Sequence, residues 1–321
     1  MIETSRRLFL TTASTADLLG VHASTVKRWS DIGTLSSIKT DGGHRRIHLK
    51  SILAAARERN IPTFLDPFSP WEANVWLAVN AAAGSEGFGR LIGLALGWLA
   101  RGDTELLGRL FFEAGRREEI PFPRFLDEGV RGFMAAVGEE WRRGRLQIGE
   151  EHMATQVILE ALLRLRVSRE SDAVPPEGPV ERKPVAIVGS MEGDYHDLGA
   201  QAARAVLEME GWKVYYLGPN VPVEEFAAVQ RAQVAGLISI SFSSKNNLPE
   251  LQRAVRVLAE FYRPNTPYAL ALGGSLDGVS PADLGEGPFE DLSFSRSAGE
   301  FQQWLKSLPG QSAPGQPMRV A

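Results

Sequence analysis

From residue 185 onward the sequence alternates four short apolar runs, at 185–189, 212–217, 236–241 and 268–272, with stretches of helical periodicity. Runs this short and this apolar fit strands buried on both faces, and a helix between successive strands obliges them to lie parallel. Residues 184–307 are therefore expected to form a doubly wound α/β sheet, whose ligands bind beyond the carboxyl ends of the strands at a switch point. No Gly-x-Gly-x-x-Gly occurs in this segment, which argues against a dinucleotide site.

Prolines divide the rest. Pro62, Pro67 and Pro70 punctuate a linker at 61–70, and Pro175, Pro176 and Pro179 a second, polar one at 168–184. Between them, residues 71–167 carry helical stripes. Leu126, Val130, Phe133, Val137 and Trp141 line one helix face, and Met153, Val157 and Ala161 another, with Ile158, Leu162 and Leu165 beside it. Asp103 and Thr104 suit the start of an intervening helix, so a four-helix bundle is expected. The Pro/Gly/Ser-rich tail, 308–321, is expected to be disordered.

Charge separates the segments further. Residues 1–60 hold ten Lys/Arg against five Asp/Glu, while the whole chain is at −4 and the remainder at −9. A basic head on an acidic body suits an N-terminal nucleic-acid module. With no cysteine, disulfides, thiolate metal sites and cysteine nucleophiles are excluded. The Arg6-Arg7 pair lacks the apolar run of an export signal, and the longest apolar run, 91–100, is half the roughly 20 residues that a membrane span requires. A cytoplasmic protein without membrane contact is expected.

Within the head, residues 15–29 read as a helix, a tight turn at Gly20 and a second helix capped by Ser24. Ala16 and Leu19 would pack on Val26 and Trp29, leaving Thr25, Lys27 and Arg28 to face a major groove. Downstream, residues 38–47 suggest a hairpin whose Gly-rich tip carries His44, Arg45 and Arg46, placed for phosphate contacts. Helix-turn-helix plus wing, with Gly43-His44-Arg45, resembles the winged helix of MerR-type regulators. Ile47 stands where Tyr is common in that family.

Immediately after the first strand comes Asp194-Tyr195-His196-Asp197-Leu198-Gly199. A histidine on a switch-point loop is a good cobalt or iron ligand when a carboxylate holds its other ring nitrogen, and Asp194 is near enough in sequence to do so. Gly199 removes a side chain where a ligand would approach closely. Asp-x-His-x-x-Gly after a first strand, Ser241-Phe242-Ser243 ending the third and Gly273-Gly274 ending the fourth resemble the flavodoxin-like, or Rossmann-like, cobalamin-binding domain of corrinoid proteins. That resemblance implies His196 as the lower axial ligand of cobalt and Asp194 as its partner. It places Gly199, Ser241, Ser243, Gly273 and Gly274 around the cofactor's nucleotide tail.

In the bundle, Trp141 ends one stripe and Glu151-His152 open the next helix, so all three lie at one end. Trp, nine residues, then Glu-His resembles the cap of CarH/LitR-type cobalamin-dependent regulators of the MerR class. In that family these groups cover the upper face of adenosylcobalamin, and light converts an oligomeric, operator-bound repressor into one that releases double-stranded DNA. The resemblance implies a homo-oligomeric photoreceptor, dimer or tetramer, and not an enzyme. Light-responsive members can place a His directly after the Trp; this chain has Arg142. Four readings stay open: a light sensor, a sensor of cobalamin or redox state, a corrinoid methyl carrier, and a regulator without cofactor.

Overall fold

In the head, Phe9–Leu10 (β1), Ser37–Lys39 (β2) and Arg45–His48 (β3) form an antiparallel sheet in the order β1-β3-β2, beside helices Thr12–Leu19 (α1), Ala23–Asp31 (α2) and Leu49–Glu58 (α3). The computed structural model describes residues 7–172, 183–243, 248–274 and 280–309, so the tail from 310 onward lies outside the described residues. Thr11 caps α1, accepting from the Ser14 N–H, and Gly20 ends it at φ 61°, a left-handed conformation that favours glycine. The cap of α2 is His22, not Ser24. Ser24 is already helical, so its own N–H needs an acceptor, and His22 Nδ1 supplies it at 3.3 Å. Ala16, Leu19, Val26, Leu35, Ile47 and Ile52 are buried together, and the Arg59 guanidinium lies 4.9 Å over the half-buried Trp29 ring.

A 3-10 turn, Asp66–Phe68, carries the chain onward, and Phe68 stacks on Trp98 of the next unit with centroids 6.0 Å apart. That unit contains Glu72–Ala83 (α4), Gly89–Leu99 (α5), Thr104–Gly115 (α6), Arg131–Arg142 (α7) and Ile148–Asp172 (α8). The last four pack as a bundle, and α4 lies against α5. Before α7 come a short helical turn, Phe122–Arg124, and a π-helical segment, Phe125–Val130. Phe111, Phe125 and Phe133 fill the centre. Gly115 permits this packing, because a Cβ there would meet the side chain of Leu165 at 2.5 Å.

Two sequence expectations change here. The buried face of α8 runs through Ala154, Ile158, Ala161 and Leu165, whereas Met153 is exposed, so the stripe begins one residue later than expected. Residues 168–172 continue α8 rather than starting a linker, since nothing before Pro175 prevents a helix. Residues 173–182 of the expected linker lie outside the described residues.

The third unit is a five-stranded, all-parallel sheet built from Val185–Met191 (β4), Lys213–Val221 (β5), Leu237–Phe242 (β6), Ala269–Gly274 (β7) and Leu292–Ser295 (β8), in the order β5-β4-β6-β7-β8. Helices Leu198–Met209 (α9) and Ala298–Ser307 (α12) cover one face, and Val223–Gln233 (α10) and Leu248–Phe261 (α11) the other. The chain reverses its direction of growth between β4 and β6, which makes the loops following them the switch point. β8 was not among the expected strands: four residues with two serines carry too little apolar signal to read as a buried run.

The bundle meets the sheet in a defined register. Asp127 accepts from the Ala298 and Gly299 N–H groups at 2.8 and 3.0 Å, capping α12 from another unit, while Arg131 donates to the Arg296 carbonyl at 2.9 Å. These contacts sit just past the carboxyl end of β8. The Phe122–Arg124 turn packs on α12, and α8 on α9, with Arg166 beside Glu208. Trp141 therefore lies beyond the carboxyl edge of the sheet, about 20 Å further along the helix than Asp127 at 1.5 Å per residue.

Candidate cofactor site and nucleic-acid interface

At the end of β4 the chain turns sharply, the Asp194 N–H returning to the Met191 carbonyl at 2.9 Å. Neighbours pin the loop that follows. Ser190 Oγ donates to the His196 carbonyl at 2.9 Å; Asn220, at the end of β5, donates its N–H to the Asp194 carbonyl at 2.9 Å and accepts from the Gly193 N–H at 2.8 Å. Asn220 also donates to Tyr195 Oη at 3.3 Å and holds φ 56°, a left-handed conformation that asparagine tolerates. Sequence reasoning missed Ser190 and Asn220. The asparagine's only signal was a turn-forming residue late in an otherwise apolar strand.

Asp194 has a fully buried side chain, and its Oδ1 accepts both from the His196 backbone N–H at 2.9 Å and from His196 Nδ1 at 2.8 Å. Burial pushes this carboxyl up, but hydrogen bonds from the His196 backbone, the His196 ring and the Ser243 hydroxyl outweigh it and hold Asp194 below the usual carboxylate range. The pair fixes the His196 ring with Nδ1 protonated toward the carboxylate, which leaves Nε2 as an acceptor. The ring is 59% exposed, and Nε2 has no hydrogen bond among the described residues. A basic imidazole nitrogen, oriented and open at a switch point, fits an axial ligand to a transition metal held in a macrocycle. Next to it, burial pushes the Asp197 carboxyl up, and its Oδ1 is buried without a partner.

Gly199 does permit a close approach, but of another kind than expected. A Cβ there would stand 2.4 Å from Ser241 Oγ, so the space is taken up by the neighbouring strand β6 rather than left to a ligand. Gly274 is as tightly placed, with Phe242 O 2.2 Å from where its Cβ would be, whereas Gly273 has only the Ser295 carbonyl at 3.7 Å. Ser241 is buried in β6 next to Gly199, and Ser243, just past the strand, is half-buried and hydrogen-bonds Asp194.

In the bundle, Trp141 is 48% exposed at the end of α7, and Glu151 and His152 stand in the first turn of α8. Glu151 pairs with His152 Nδ1 at 3.2 Å and accepts from Thr155 Oγ1 at 3.3 Å. Exposed Ile148 and Met153 extend this end into an apolar surface. Arg142 is held by Glu139 at 2.7 Å. The fold thus brings Trp141, Glu151 and His152 to one end of the bundle, on the carboxyl side of the sheet where His196 stands.

The head divides its expected contact residues. Lys27, Arg28 and His44 are exposed, Arg46 is half-buried, and Thr25 is half-buried rather than open. Thr25 lies next to Val26 and is drawn partly under the helix. Arg45 is paired with Asp31 at the end of α2, which ties the wing to the second helix. Exposed Lys39 on β2 faces Arg45 in the register of the hairpin.

Comparison with known proteins agrees with this division. Residues 9–60 match a helix-turn-helix domain, 96–166 a B12 binding domain, and 184–290 a second B12 binding domain. Among curated proteins, dimethylamine corrinoid protein 3 of Methanosarcina acetivorans is 27% identical over 144 residues, covering 45% of this chain and 65% of its own. A corrinoid protein of Desulfitobacterium hafniense is 23% identical over 186 residues, 57% of this chain and 83% of its own. The match to the first of these spans just under two thirds of that relative's length. Among solved structures, a monomethylamine corrinoid protein of Methanosarcina barkeri is similar at 16% identity and a TM-score of 0.49, over 66% of this chain and 94% of that one. This chain thus joins a DNA-binding helix-turn-helix to the two modules of a cobalamin-binding protein. Among the described residues, no helix is long and apolar enough to cross a membrane.

Proposed function

We propose that this protein is a cobalamin-dependent transcriptional regulator of the MerR class, a light sensor rather than an enzyme, acting in the cytoplasm as a homo-oligomer on operator DNA. The observation that carries it is the His196–Asp194 pair, oriented on the switch-point loop of a chain that begins with a winged helix. His196 Nε2 would ligate cobalt, with Asp194 holding its ring and Ser243 holding Asp194, and Ser241 and Gly273 would line the tail pocket, while Gly199 and Gly274 let the strand ends pack closely behind it. Trp141, Glu151 and His152 would cover the cofactor from the bundle. Adenosylcobalamin, when bound, supplies a light-labile cobalt–carbon bond.

The chain's own part is to exclude water around that bond and to couple the cap's position to assembly. Trp141 shields the face, Glu151 offers a carboxylate to a hydroxyl-bearing upper group, and the bundle transmits its position to the head through Phe68 and Trp98. Two states of the cap, biased by what lies beneath Trp141, are the bistable element that such a switch needs. Lys27, Arg28, Arg46 and His44 contact DNA, with Thr25 beside them. Arg45 joins them by exchanging Asp31 for phosphate.

The test is size-exclusion chromatography with absorbance detection on protein loaded with adenosylcobalamin, in darkness and after green illumination, each pool then offered operator-length DNA. Bound corrin, a light-dependent mass change and loss of DNA binding are expected. Bound corrin with no mass change points instead to sensing of cobalamin or redox state, and no bound corrin removes the cofactor. A second reading, a corrinoid methyl carrier, is favoured by the names of the relatives at this domain. It requires methyl transfer by a partner enzyme and indifference to DNA.

A further inference from the structure

At the amino edge of the sheet, away from His196, the bundle and the α/β unit enclose a cleft of about 1150 Å³. Lys183 precedes β4 and Lys213 opens β5, so the length of a strand, about 20 Å, separates this cleft from the loop carrying His196. Its walls hold seven cationic side chains against two carboxylates, Glu118 and Glu208, in a body that is otherwise acidic. Glu208 is engaged by Arg204 at 2.8 Å.

Four of the cations, Arg117, Arg169, Lys183 and Lys213, have no carboxylate within 4.0 Å among the described residues. The Arg117 guanidinium lies 4.1 Å over the Phe64 ring; that of Arg169 lies 4.1 Å over Phe122 and gives one N–H to the Gly115 carbonyl at 3.1 Å. Both arginines are half-buried, and burial lowers the affinity of each for its proton. Aromatic faces hold such planes still and leave edge N–H groups for a bidentate contact to two oxygens of an oxyanion, a role that guanidinium serves better than ammonium. Trp212 supplies an independent sign. It lines the same cleft at 6% exposure, yet its buried indole N–H has no acceptor. A buried donor without a partner is unfavourable, a cost that an incoming acceptor would remove. Between the charges the wall is apolar, from Ile120, Leu162 and Leu165.

We propose that this cleft binds a phosphate-bearing small molecule of nucleotide size, its phosphates between Arg117, Arg169, Lys183 and Lys213 and its less polar part against Leu162, Leu165 and Trp212. The volume suits such a molecule, and the donors are of the kind that recognise phosphate.

The test is titration calorimetry of the full-length protein at physiological salt with two probes, ATP and inorganic tripolyphosphate. Saturable binding is expected, weakened about tenfold or more by Lys183→Glu combined with Lys213→Glu, two exposed positions whose change leaves the fold intact. Trp212→Phe, which removes the N–H donor and keeps an aromatic ring in the wall, is expected to weaken ATP several-fold. Tighter binding of ATP than of tripolyphosphate identifies a nucleotide; equal binding identifies the phosphates alone. The proposal is overturned if neither probe binds at millimolar concentration, or if binding ignores the cleft variants and falls with Lys27→Glu in the head. It is also overturned if binding emerges only when the linker acids Glu177 and Glu181 are changed to Gln, since the cleft would then be filled by the chain itself.

Discussion

Asp194 does its work by being buried while remaining charged. Its carboxyl lies below the ordinary value of about 3.9, because His196 and Ser243 donate to the ionised form. The stability it contributes is present above that ordinary value and lost as pH falls through the depressed folded value. Asp194→Asn is thus expected to lower the urea midpoint at pH 7, and the gap to the parent protein is expected to close below about pH 4. An equal gap at every pH would mean the loss is one of packing. For His196→Ala, the proposed cobalt ligation predicts loss of the base-off, histidine-ligated absorption spectrum; an unaltered spectrum would place the ligand elsewhere. Adjacent glycines give a sharp contrast. Gly274→Ala forces a Cβ to 2.2 Å from the Phe242 carbonyl and is expected to cost about 3 kcal/mol, whereas Gly273→Ala meets nothing closer than 3.7 Å and should change the midpoint little.

Among the elements, the helix pair formed by the π-helical segment and α12 shows how separate units are locked together. Asp127 caps α12 through two backbone N–H groups 171 and 172 residues away, a cap that no local pattern announces. Its removal in Asp127→Ala is expected to cost about 1 kcal/mol, read as a fall in thermal midpoint, with a larger loosening of the bundle on the sheet by hydrogen exchange at α12. Helix and strand identities in the sheet were legible because buried parallel strands are apolar throughout. β8 was not, since a four-residue edge strand with Ser293 and Ser295 looks like a loop. The first residue of the α8 stripe was misjudged for a related reason. Met153 is apolar in composition but exposed at the bundle's end, and only its neighbours decide that.

For the whole molecule, the carboxyl edge of the sheet is where the loop with His196 and the end of the bundle with Trp141 lie on the same side. If the cap governs assembly, Trp141→Ala is expected to bring the elution volumes of the adenosylcobalamin- and methylcobalamin-loaded proteins together in darkness. Undiminished discrimination would remove Trp141 from the cap. The shape of the head is set at this scale too, since Arg45 pairs with Asp31 across it; under the proposed function DNA phosphate would compete with Asp31 for that guanidinium.

The three units, the parallel sheet and the residues of the loop with His196 are legible in the chain alone, because periodicity, proline placement and the Asp-x-His spacing are local and survive without knowledge of neighbours. The sequence also placed Trp141, Glu151 and His152 at one end of a bundle. Tertiary structure alone decided which groups those residues meet. Ser241 fills the space beside Gly199, Asn220 pins the loop with His196, Asp127 caps a distant helix, and Arg117, Arg169 and Trp212 converge on a basic cleft. Hydrogen bonds and ion pairs between residues far apart in the chain depend on how packed layers bring surfaces together, and that arrangement is a property of the whole core rather than of any segment.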